Sequence, residues 1–177
     1  MVKVLYSEEQ IAKQVQLLAG QISVHYAPLV SISYPLVVLP VLKGAFVFSS
    51  DLLRRLTVPL RVEFLRASSY RGGTVSGGLE LDIPETAFLS GHHLLLLEDI
   101  IDTGKTASQI LAALKSCGPA SLQVCALLDK PARRVAPVEV GFRGFTAPDR
   151  FVIGYGMDLA ERYRELPYVG ELEECTF

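Results

Sequence analysis

The chain has 177 residues, of which half are hydrophobic, and its formal net charge is −2. A chain of this length and composition can bury one core and form a single domain. Because it has no basic surplus, we expect neither a nucleic-acid partner nor an acidic membrane surface, and the composition favours a small-molecule partner.

The cysteines and the N-terminal residues indicate a reducing compartment. Cys117, Cys125 and Cys175 are odd in number and have no C-x-x-C spacing, which favours neither a disulfide framework nor a zinc site. The N-terminal residues have no apolar signal-peptide core, and no stretch reaches the ~20 apolar residues that span a membrane. We therefore expect a cytoplasmic protein without a membrane partner.

The first part of the chain predicts a helix, a strand and a second helix. Residues 7–10, Ser-Glu-Glu-Gln, have the form of a capping box, and apolar residues continue at helical spacing to Ile22. Leu36 to Leu42 is an apolar run of strand length. The Lys43-Gly44 turn then precedes a helical stretch from Ala45 to about Leu56.

A strand and a glycine-rich loop are predicted next. Leu60 to Leu65 alternates enough to be a strand, and it leads into a loop with many serines and glycines between residues 68 and 78. Its composition fits either a disordered hairpin or a mobile lid that keeps water from a reactive site.

The second half of the chain predicts the alternation of a parallel sheet. An apolar strand from Leu94 to Ile101 precedes a helix that ends near Ser116, and strands follow at Leu122–Leu128 and Phe151–Gly154. This βαβ pattern predicts an α/β fold with a mostly parallel central sheet flanked by helices. No linker divides residues 1–177, so we expect one domain with a small subdomain made from the chain ends.

The end of the Leu94–Ile101 strand combines carboxylates with a helix N-terminus. Glu98, Asp99 and Asp102 come at the carboxyl end of the strand, where open α/β sheets bind ligands. A helix opens directly after them, and its first amides and neighbouring hydroxyls suit a phosphate monoester. The residues of this phosphate cradle are Thr103, Gly104, Lys105 and Thr106.

The segment from Glu98 to Thr106 could hold a ribose 5-phosphate, and it has two other interpretations. A Walker A loop requires its first glycine at the position of Asp99, where a carboxylate would repel a triphosphate. Alternatively, Glu98 and Asp99 merely cap a helix, although a cap needs fewer acidic residues. Adjacent carboxylates before a phosphate cradle can instead accept hydrogen bonds from neighbouring sugar hydroxyls.

Three further segments carry chemical groups. The Lys43-Gly44 turn offers a charge and backbone amides that suit a pyrophosphate, or it is an ordinary surface turn. Lys130 follows a strand and could donate to a carbonyl oxygen, or it is simply solvated. Phe151 offers a face for a planar base, with Asp158 nearby as a carboxylate, or it is a core phenylalanine.

The segment EDIIDTGKT resembles the signature of the type I phosphoribosyltransferases. The motifs L-K-G, S-S-Y, E-D-I-I-D-T-G-K-T, D-K and F-V-I-G-Y-G-M-D, with R-E-L-P-Y after them, occur in the order found in the hypoxanthine-guanine phosphoribosyltransferases of that family. The resemblance extends from about residue 5 to residue 170. It implies the type I phosphoribosyltransferase fold, with a small hood subdomain formed by the chain ends and a mobile lid at about residues 67–80. The lid would include Ser68, Ser69 and Tyr70.

The resemblance also implies roles around 5-phosphoribosyl-1-pyrophosphate (PRPP). The 5′-phosphate would be bound by residues 102–106, and the ribose hydroxyls by Glu98 and Asp99. Pyrophosphate would be bound by Lys43, Gly44 and Arg164, and the family commonly has a cis peptide at the position of Leu42-Lys43. Magnesium is the implied cofactor, with Asp158, Glu98 and Asp99 as the metal-site residues.

On the base side, the resemblance implies a 6-oxopurine substrate. Lys130 would contact the 6-oxo group, Phe151 would stack on the purine, and Val152 would read the base edge through its backbone. Asp158 would complete this part of the site. Asp102 is the candidate general base, since it lies between the phosphate site and the base site.

Two alternatives stay open beside a hypoxanthine or guanine phosphoribosyltransferase. A regulator of the same fold could sense PRPP or a nucleotide, although the intact Asp102 does not favour this. A xanthine, adenine or pyrimidine specificity is the nearer alternative, because one donor at Lys130 is thin evidence for rejecting xanthine. The family is usually dimeric or tetrameric, so we expect a homodimer or homotetramer.

Overall fold

The computed structural model describes residues 2–69, 79–82 and 88–172. Within these residues, three α-helices pack against a mixed sheet, and strands near the two chain ends form a second sheet. The helices are α1 (Glu8–Tyr26), α2 (Phe46–Leu53) and α3 (Lys105–Ser116). The strands are β1 (Val2–Tyr6), β2 (Leu36–Leu42), β3 (Leu60–Val62), β4 (Leu65–Ser69), β5 (Leu79–Asp82), β6 (His93–Ile101), β7 (Ser121–Asp129), β8 (Phe142–Thr146), β9 (Val152–Ile153) and β10 (Val169–Leu172).

The central sheet has the strand order β5-β4-β2-β6-β7-β8, and β3 pairs with β2 as well. Its central pairs, β2 with β6 and β6 with β7, are parallel, and only β4 with β5 is antiparallel. The prediction of a mostly parallel sheet is therefore confirmed. Parallel strands place their carboxyl ends at one edge, which is where the ligand site of such a sheet lies.

Both faces of the central strands are buried, as their unbroken apolar runs predict. In β2, Leu36 and Val38 pack in the cluster that contains α1 and α2. Val37 and Leu39 point to the opposite face and pack in the cluster that contains α3. This alternation follows from the two-residue period of a strand.

The predicted capping box at the start of α1 is confirmed. The Gln10 backbone N–H donates to Ser7 Oγ at 3.2 Å, and the Ser7 N–H donates to Gln10 Oε1 at 2.8 Å. These bonds satisfy amides that the first helical turn leaves without a carbonyl partner.

Two boundaries differ from the prediction. Helix α2 ends at Leu53 rather than near Leu56, because the amides of Arg55 and Leu56 bond to carbonyls three residues back in successive turns. The single strand expected at 60–65 is wrong, since the chain forms β3 and β4 with a break between them. Both strands pair in parallel with β2, which keeps the chain beside the same neighbour.

The second sheet joins the two ends of the chain in the antiparallel order β1-β10-β9. Val2 pairs with Leu172, and Gly170 pairs with Ile153. Strands β1 and β10 were not predicted from the sequence, because each strand depends on a partner far away in the chain. Within the ranges given above, no helix has the length and apolar character needed to cross a lipid bilayer.

Candidate active site

A cavity of about 350 Å³ lies at the carboxyl edge of the central sheet. Its walls are formed by residues at or just after the ends of β2, β6 and β7 and by residues of the segment that contains β9. Most of the residues selected from the sequence line it, and these are Lys43, Gly44, Glu98, Asp99, Asp102, Thr106, Lys130, Phe151, Val152, Asp158 and Arg164.

A smaller cavity of about 170 Å³ adjoins the start of α3. Thr103, Gly104 and Thr106 line it, whereas Lys105 does not line either of these two cavities. Asp102 and Glu98 line both cavities, so the smaller one continues the larger one toward the helix N-terminus. This is the position where the dipole and first amides of a helix favour an anion.

Gly104 allows the tight turn between β6 and α3. Its φ of +81° lies in the left-handed region, and a Cβ there would come within 2.5 Å of the Ala136 carbonyl oxygen. The amides of Val135 and Ala136 donate to the Thr103 carbonyl at 2.9 and 3.0 Å. Residues 102–106, which include the predicted phosphate cradle, are called the phosphate loop below. These hydrogen bonds hold the loop against the segment that follows Lys130.

Arg134, which was not among the residues predicted from the sequence, stabilises this loop. Its Nε donates to the Asp102 carbonyl at 3.2 Å and its Nη1 to the Val138 carbonyl at 3.2 Å. Its Nη2 pairs with the buried Asp129, which also pairs with Arg143 at 2.7 Å. A buried acid followed five residues later by an arginine was the available sequence signal.

Glu98 and Asp99 are carboxylates in a low-dielectric environment. Burial, with the neighbouring charge of Asp99 as a second cause, raises the pKa of Glu98 well above its usual value. Burial also raises the pKa of Asp99 to about 6. The carboxylate of Asp99 lies against the backbone of Gly44, where a Cβ would overlap it. Ionising this pair calls for hydrogen-bond donors or a cation beside it.

Lys130 and Phe151 form the other side of the cavity. Lys130 is 3% exposed, and its Nζ donates to the Arg150 carbonyl at 2.5 Å. Burial lowers the pKa of Lys130, and the charge of Asp102 opposes that shift. Phe151 is 58% exposed and lines the cavity, which excludes the alternative of a core phenylalanine.

Asp102 contacts Arg133, a second residue that the sequence analysis missed. Arg133 Nε lies 3.1 Å from Asp102 Oδ1, and Arg133 Nη1 donates to Asp149 Oδ1 at 3.0 Å. The guanidinium therefore bridges the phosphate loop and the segment that leads to Phe151. Adjacent arginines after Lys130 gave no separate signal for a site residue.

Lys43 and Arg164 both line the larger cavity, and both contact Glu161. The Leu42-Lys43 peptide is cis. Lys43 Nζ lies 3.0 Å from a carboxylate oxygen of Glu161, and Arg164 Nη2 lies 2.9 Å from Asp158 Oδ1. Arg164 Nη1 also donates to the Gly156 carbonyl at 2.7 Å. Two cations therefore converge on one end of the site.

The carboxylates of the larger cavity suit magnesium, although they do not supply a complete set of metal ligands. Glu98, Asp99 and Asp158 line one cavity and carry the oxygen ligands that magnesium prefers. Across the part of the chain that the structure describes, no three His, Cys, Asp or Glu side chains are close enough to hold a metal by themselves. This arrangement fits a cation that takes most of its ligands from substrate and water.

The predicted lid falls largely outside the described residues. Tyr70 is one of the residues that the structure does not describe. Ser68 and Ser69 are described by their backbone only, at the end of β4, where they pair with Glu80 and Leu79.

A family model matches this chain. The model is that of the phosphoribosyl transferase domain, and it covers residues 1–160. The chain belongs to the phosphoribosyltransferase family. A hypoxanthine-guanine phosphoribosyltransferase of Bacillus subtilis is 40% identical over 176 residues, which are 99% of this chain and 95% of that protein. A hypoxanthine phosphoribosyltransferase of Salmonella typhimurium is 42% identical over 174 residues, 97% of this chain and 95% of the relative.

Solved structures of phosphoribosyltransferases share the fold. The crystal structure of a hypoxanthine-guanine phosphoribosyltransferase from Bacillus anthracis superposes with a TM-score of 0.86 at 37% identity, covering 98% of this chain and 99% of the other. The predicted type I phosphoribosyltransferase fold is confirmed, and the chain has the fold and family of a glycosyltransferase.

Proposed function

We propose that this protein transfers the 5-phosphoribosyl group of PRPP to hypoxanthine or guanine, giving IMP or GMP and pyrophosphate. One observation carries the proposal. The turn before α3, which suits an anion, and the side chains of Lys130 and Phe151 line two cavities that adjoin at Glu98, Asp102 and Thr106. The relatives named above, similar over nearly the whole chain, bear the names of purine phosphoribosyltransferases.

The phosphoribosyl group would bind along the end of β6. The amides and hydroxyls of residues 102–106 suit the 5′-phosphate, and Gly104 allows the backbone to curve around it. Glu98 and Asp99 would accept hydrogen bonds from the ribose hydroxyls, which would compensate for their burial.

The purine would bind between Phe151 and the end of β7. The exposed ring of Phe151 can stack on a planar base, and the backbone of Val152 supplies polar groups at its edge. Lys130 would donate to the 6-oxo oxygen, exchanging the carbonyl of Arg150 for the substrate. A cation at this position disfavours the amino group of adenine.

The site would have to stabilise both the positive charge that develops on the ribosyl group and the negative charge of the departing pyrophosphate. The purine N9 displaces pyrophosphate at C1 of the ribose, and the ribosyl group carries positive charge in the transition state. Asp102 would act as the general base for the proton on purine N7. Lys43, the Gly44 amide and Arg164 would bind the departing pyrophosphate, whose negative charge they offset.

Magnesium belongs to the same proposal. Asp158 would hold it on the pyrophosphate side, and Glu98 and Asp99 would do so on the ribose side. When bound, the ion stabilises negative charge on the pyrophosphate oxygens.

The hood, the lid and the oligomer are also proposals. The three-stranded sheet of β1, β10 and β9 includes Val152. It would form the hood of a single domain over residues 1–177. The lid would be the segment at about 67–80. A homodimer or homotetramer would cover exposed apolar side chains such as Ile32 and Phe64. A cytoplasmic location stays a prediction.

A base panel tests the proposed function. Purified protein is incubated with PRPP and magnesium, and hypoxanthine, guanine, xanthine, adenine and uracil are offered in turn. We expect magnesium-dependent formation of IMP and GMP. Reaction with xanthine alone would move the specificity to xanthine. PRPP binding without reaction of any base would favour the sensing regulator.

A further inference from the structure

Glu161 lies between the two cations that the proposed function assigns to pyrophosphate. Its Oε2 is 3.0 Å from Lys43 Nζ, and its Oε1 is 3.4 Å from Arg164 Nη2. Each carboxylate oxygen therefore faces a different cation, which is how two oxygens of a phosphate group would be placed.

The backbone directs this side chain toward the cations. Ala160 and Glu161 are the two central residues of a tight hairpin, in which Leu159 and Arg162 exchange backbone hydrogen bonds of 3.1 Å in both directions. Their φ values are +50° and +63°, a left-handed pair that a hairpin turn of this kind usually fills with asparagine and glycine. Non-glycine residues in this conformation are uncommon in proteins, and those that occur cluster at functional sites.

The turn is also tied to the proposed metal-site residue. The Glu161 N–H donates to Asp158 Oδ2 at 2.8 Å, while Asp158 Oδ1 pairs with Arg164 at 2.9 Å. Glu161 thus has a defined position relative to Arg164 even though its own side chain is 65% exposed.

The contacts of Glu161 are of a kind that a ligand can replace. The side chains of Lys43 and Glu161 are both about two-thirds exposed, at 64% and 65%, and exposed ion pairs are weak. As an exposed glutamate, Glu161 carries a negative charge at neutral pH. Pyrophosphate carries more negative charge than one carboxylate and can bind both cations more strongly.

We propose that Glu161 is a built-in competitor of pyrophosphate, binding Lys43 and Arg164 whenever pyrophosphate does not. The inference rests on the proposed pyrophosphate role of those two cations. It makes Glu161 a determinant of affinity for pyrophosphate and for the pyrophosphate part of PRPP. By pairing with the cations again as pyrophosphate leaves, Glu161 assists product release.

A purely structural role for Glu161 predicts the opposite effect. If the carboxylate served only to hold Lys43 and Arg164 in place, removing its charge would leave the cations less ordered and weaken pyrophosphate binding. If it competes, removing its charge strengthens binding. The sign of the change therefore distinguishes the two roles.

The test is calorimetric titration of the full-length protein with inorganic pyrophosphate at a fixed magnesium concentration. We expect Glu161→Gln to bind pyrophosphate about 3- to 10-fold more tightly than the wild type, because the variant loses an exposed ion pair with Lys43 and a partly buried one with Arg164. Glu165→Gln is the matched control, because Glu165 is an exposed glutamate of the same segment. The control removes the same charge and should change the Kd by less than about 2-fold.

A third variant, Lys43→Met, separates this inference from the proposed function. Weaker pyrophosphate binding in Lys43→Met, together with tighter binding in Glu161→Gln, supports both. If Lys43→Met binds pyrophosphate more weakly but Glu161→Gln binds it equally or less tightly, the competitor role is wrong and the pyrophosphate site stands. If Lys43→Met leaves the Kd unchanged, the assignment of the site itself is overturned.

Discussion

Arg134 donates a hydrogen bond from its Nε to the backbone carbonyl of Asp102 at 3.2 Å. The same guanidinium pairs with the buried Asp129 at the end of β7. One side chain therefore connects the phosphate loop after β6 to the neighbouring strand, and the shape of the loop depends on a residue outside the signature segment.

Arg134→Lys tests this connection. Lysine keeps the charge but loses the planar fork, so bonds to Asp129 and to the Asp102 and Val138 carbonyls cannot all be kept. We expect the KM for PRPP to rise ~10-fold, with a smaller change in kcat. Arg143→Lys is the control, because Arg143 pairs with the same Asp129 from β8. Equal effects of the two substitutions on KM would contradict a role for Arg134 in shaping the loop.

Asp102→Asn tests the proposed role of Asp102 as the general base. The amide has nearly the same shape but cannot accept the proton, so turnover should fall ~10²-fold or more while the Kd for PRPP changes much less. Asp149→Asn provides a control at the other partner of Arg133. Rapid-quench turnover and equilibrium binding of PRPP measure the two quantities separately. Turnover equal to that of the wild type would rule out this role.

Lys130→Met tests the recognition of the base. Methionine keeps the length and apolar stem but removes the donor, so kcat/KM for hypoxanthine should fall ~10²-fold. The value for adenine should fall far less, because Lys130 offers adenine no favourable hydrogen bond. Lys115→Met, at an exposed position near the end of α3, controls for the loss of a charge. A parallel fall for both bases would mean that Lys130 does not discriminate between them.

Gly104→Ala tests the close approach in the phosphate loop. An added Cβ would meet the Ala136 carbonyl oxygen at 2.5 Å in a residue with φ of +81°. We expect a loss of ~1–3 kcal/mol in unfolding free energy and weaker PRPP binding. Gly91→Ala is a matched control, since Gly91 has φ of +73° but nothing within 4 Å of the added atom. Denaturant unfolding of both variants separates the cost of the left-handed backbone, which both variants share, from the cost of the contact with Ala136, which only Gly104→Ala incurs. Equal losses of unfolding free energy would show that the contact with Ala136 is relieved without cost.

The sequence predicted the elements whose signal is local. The capping box at Ser7, the buried run of β2 and the apolar run of β6 lie where the periodicity places them. The strands that were missed, such as β1 and β10, are short and gain their stability from a partner at the other end of the chain. Their pairing cannot be seen in a local pattern.

The site residues that were predicted are also those with a local signal. Glu98, Asp102 and Gly104 lie close together in the sequence, so one resemblance to a family signature identified all three. Arg133 and Arg134 were missed because their contacts depend on a short 3-10 helix, Pro131–Arg133, and on the residues after it, whose amides bond to the Thr103 carbonyl. Glu161 was also missed, since a glutamate in a segment with other charged residues, such as Arg162 and Glu165, has no distinctive pattern.

Transfer of the phosphoribosyl group to a 6-oxopurine should be stoichiometric. We would measure IMP and pyrophosphate in the same samples over time, in a reaction containing PRPP, magnesium and hypoxanthine. We expect IMP and pyrophosphate to appear in equal amounts, and neither to form at a comparable rate without hypoxanthine. Pyrophosphate release without IMP, or no reaction while PRPP binds, would contradict this expectation.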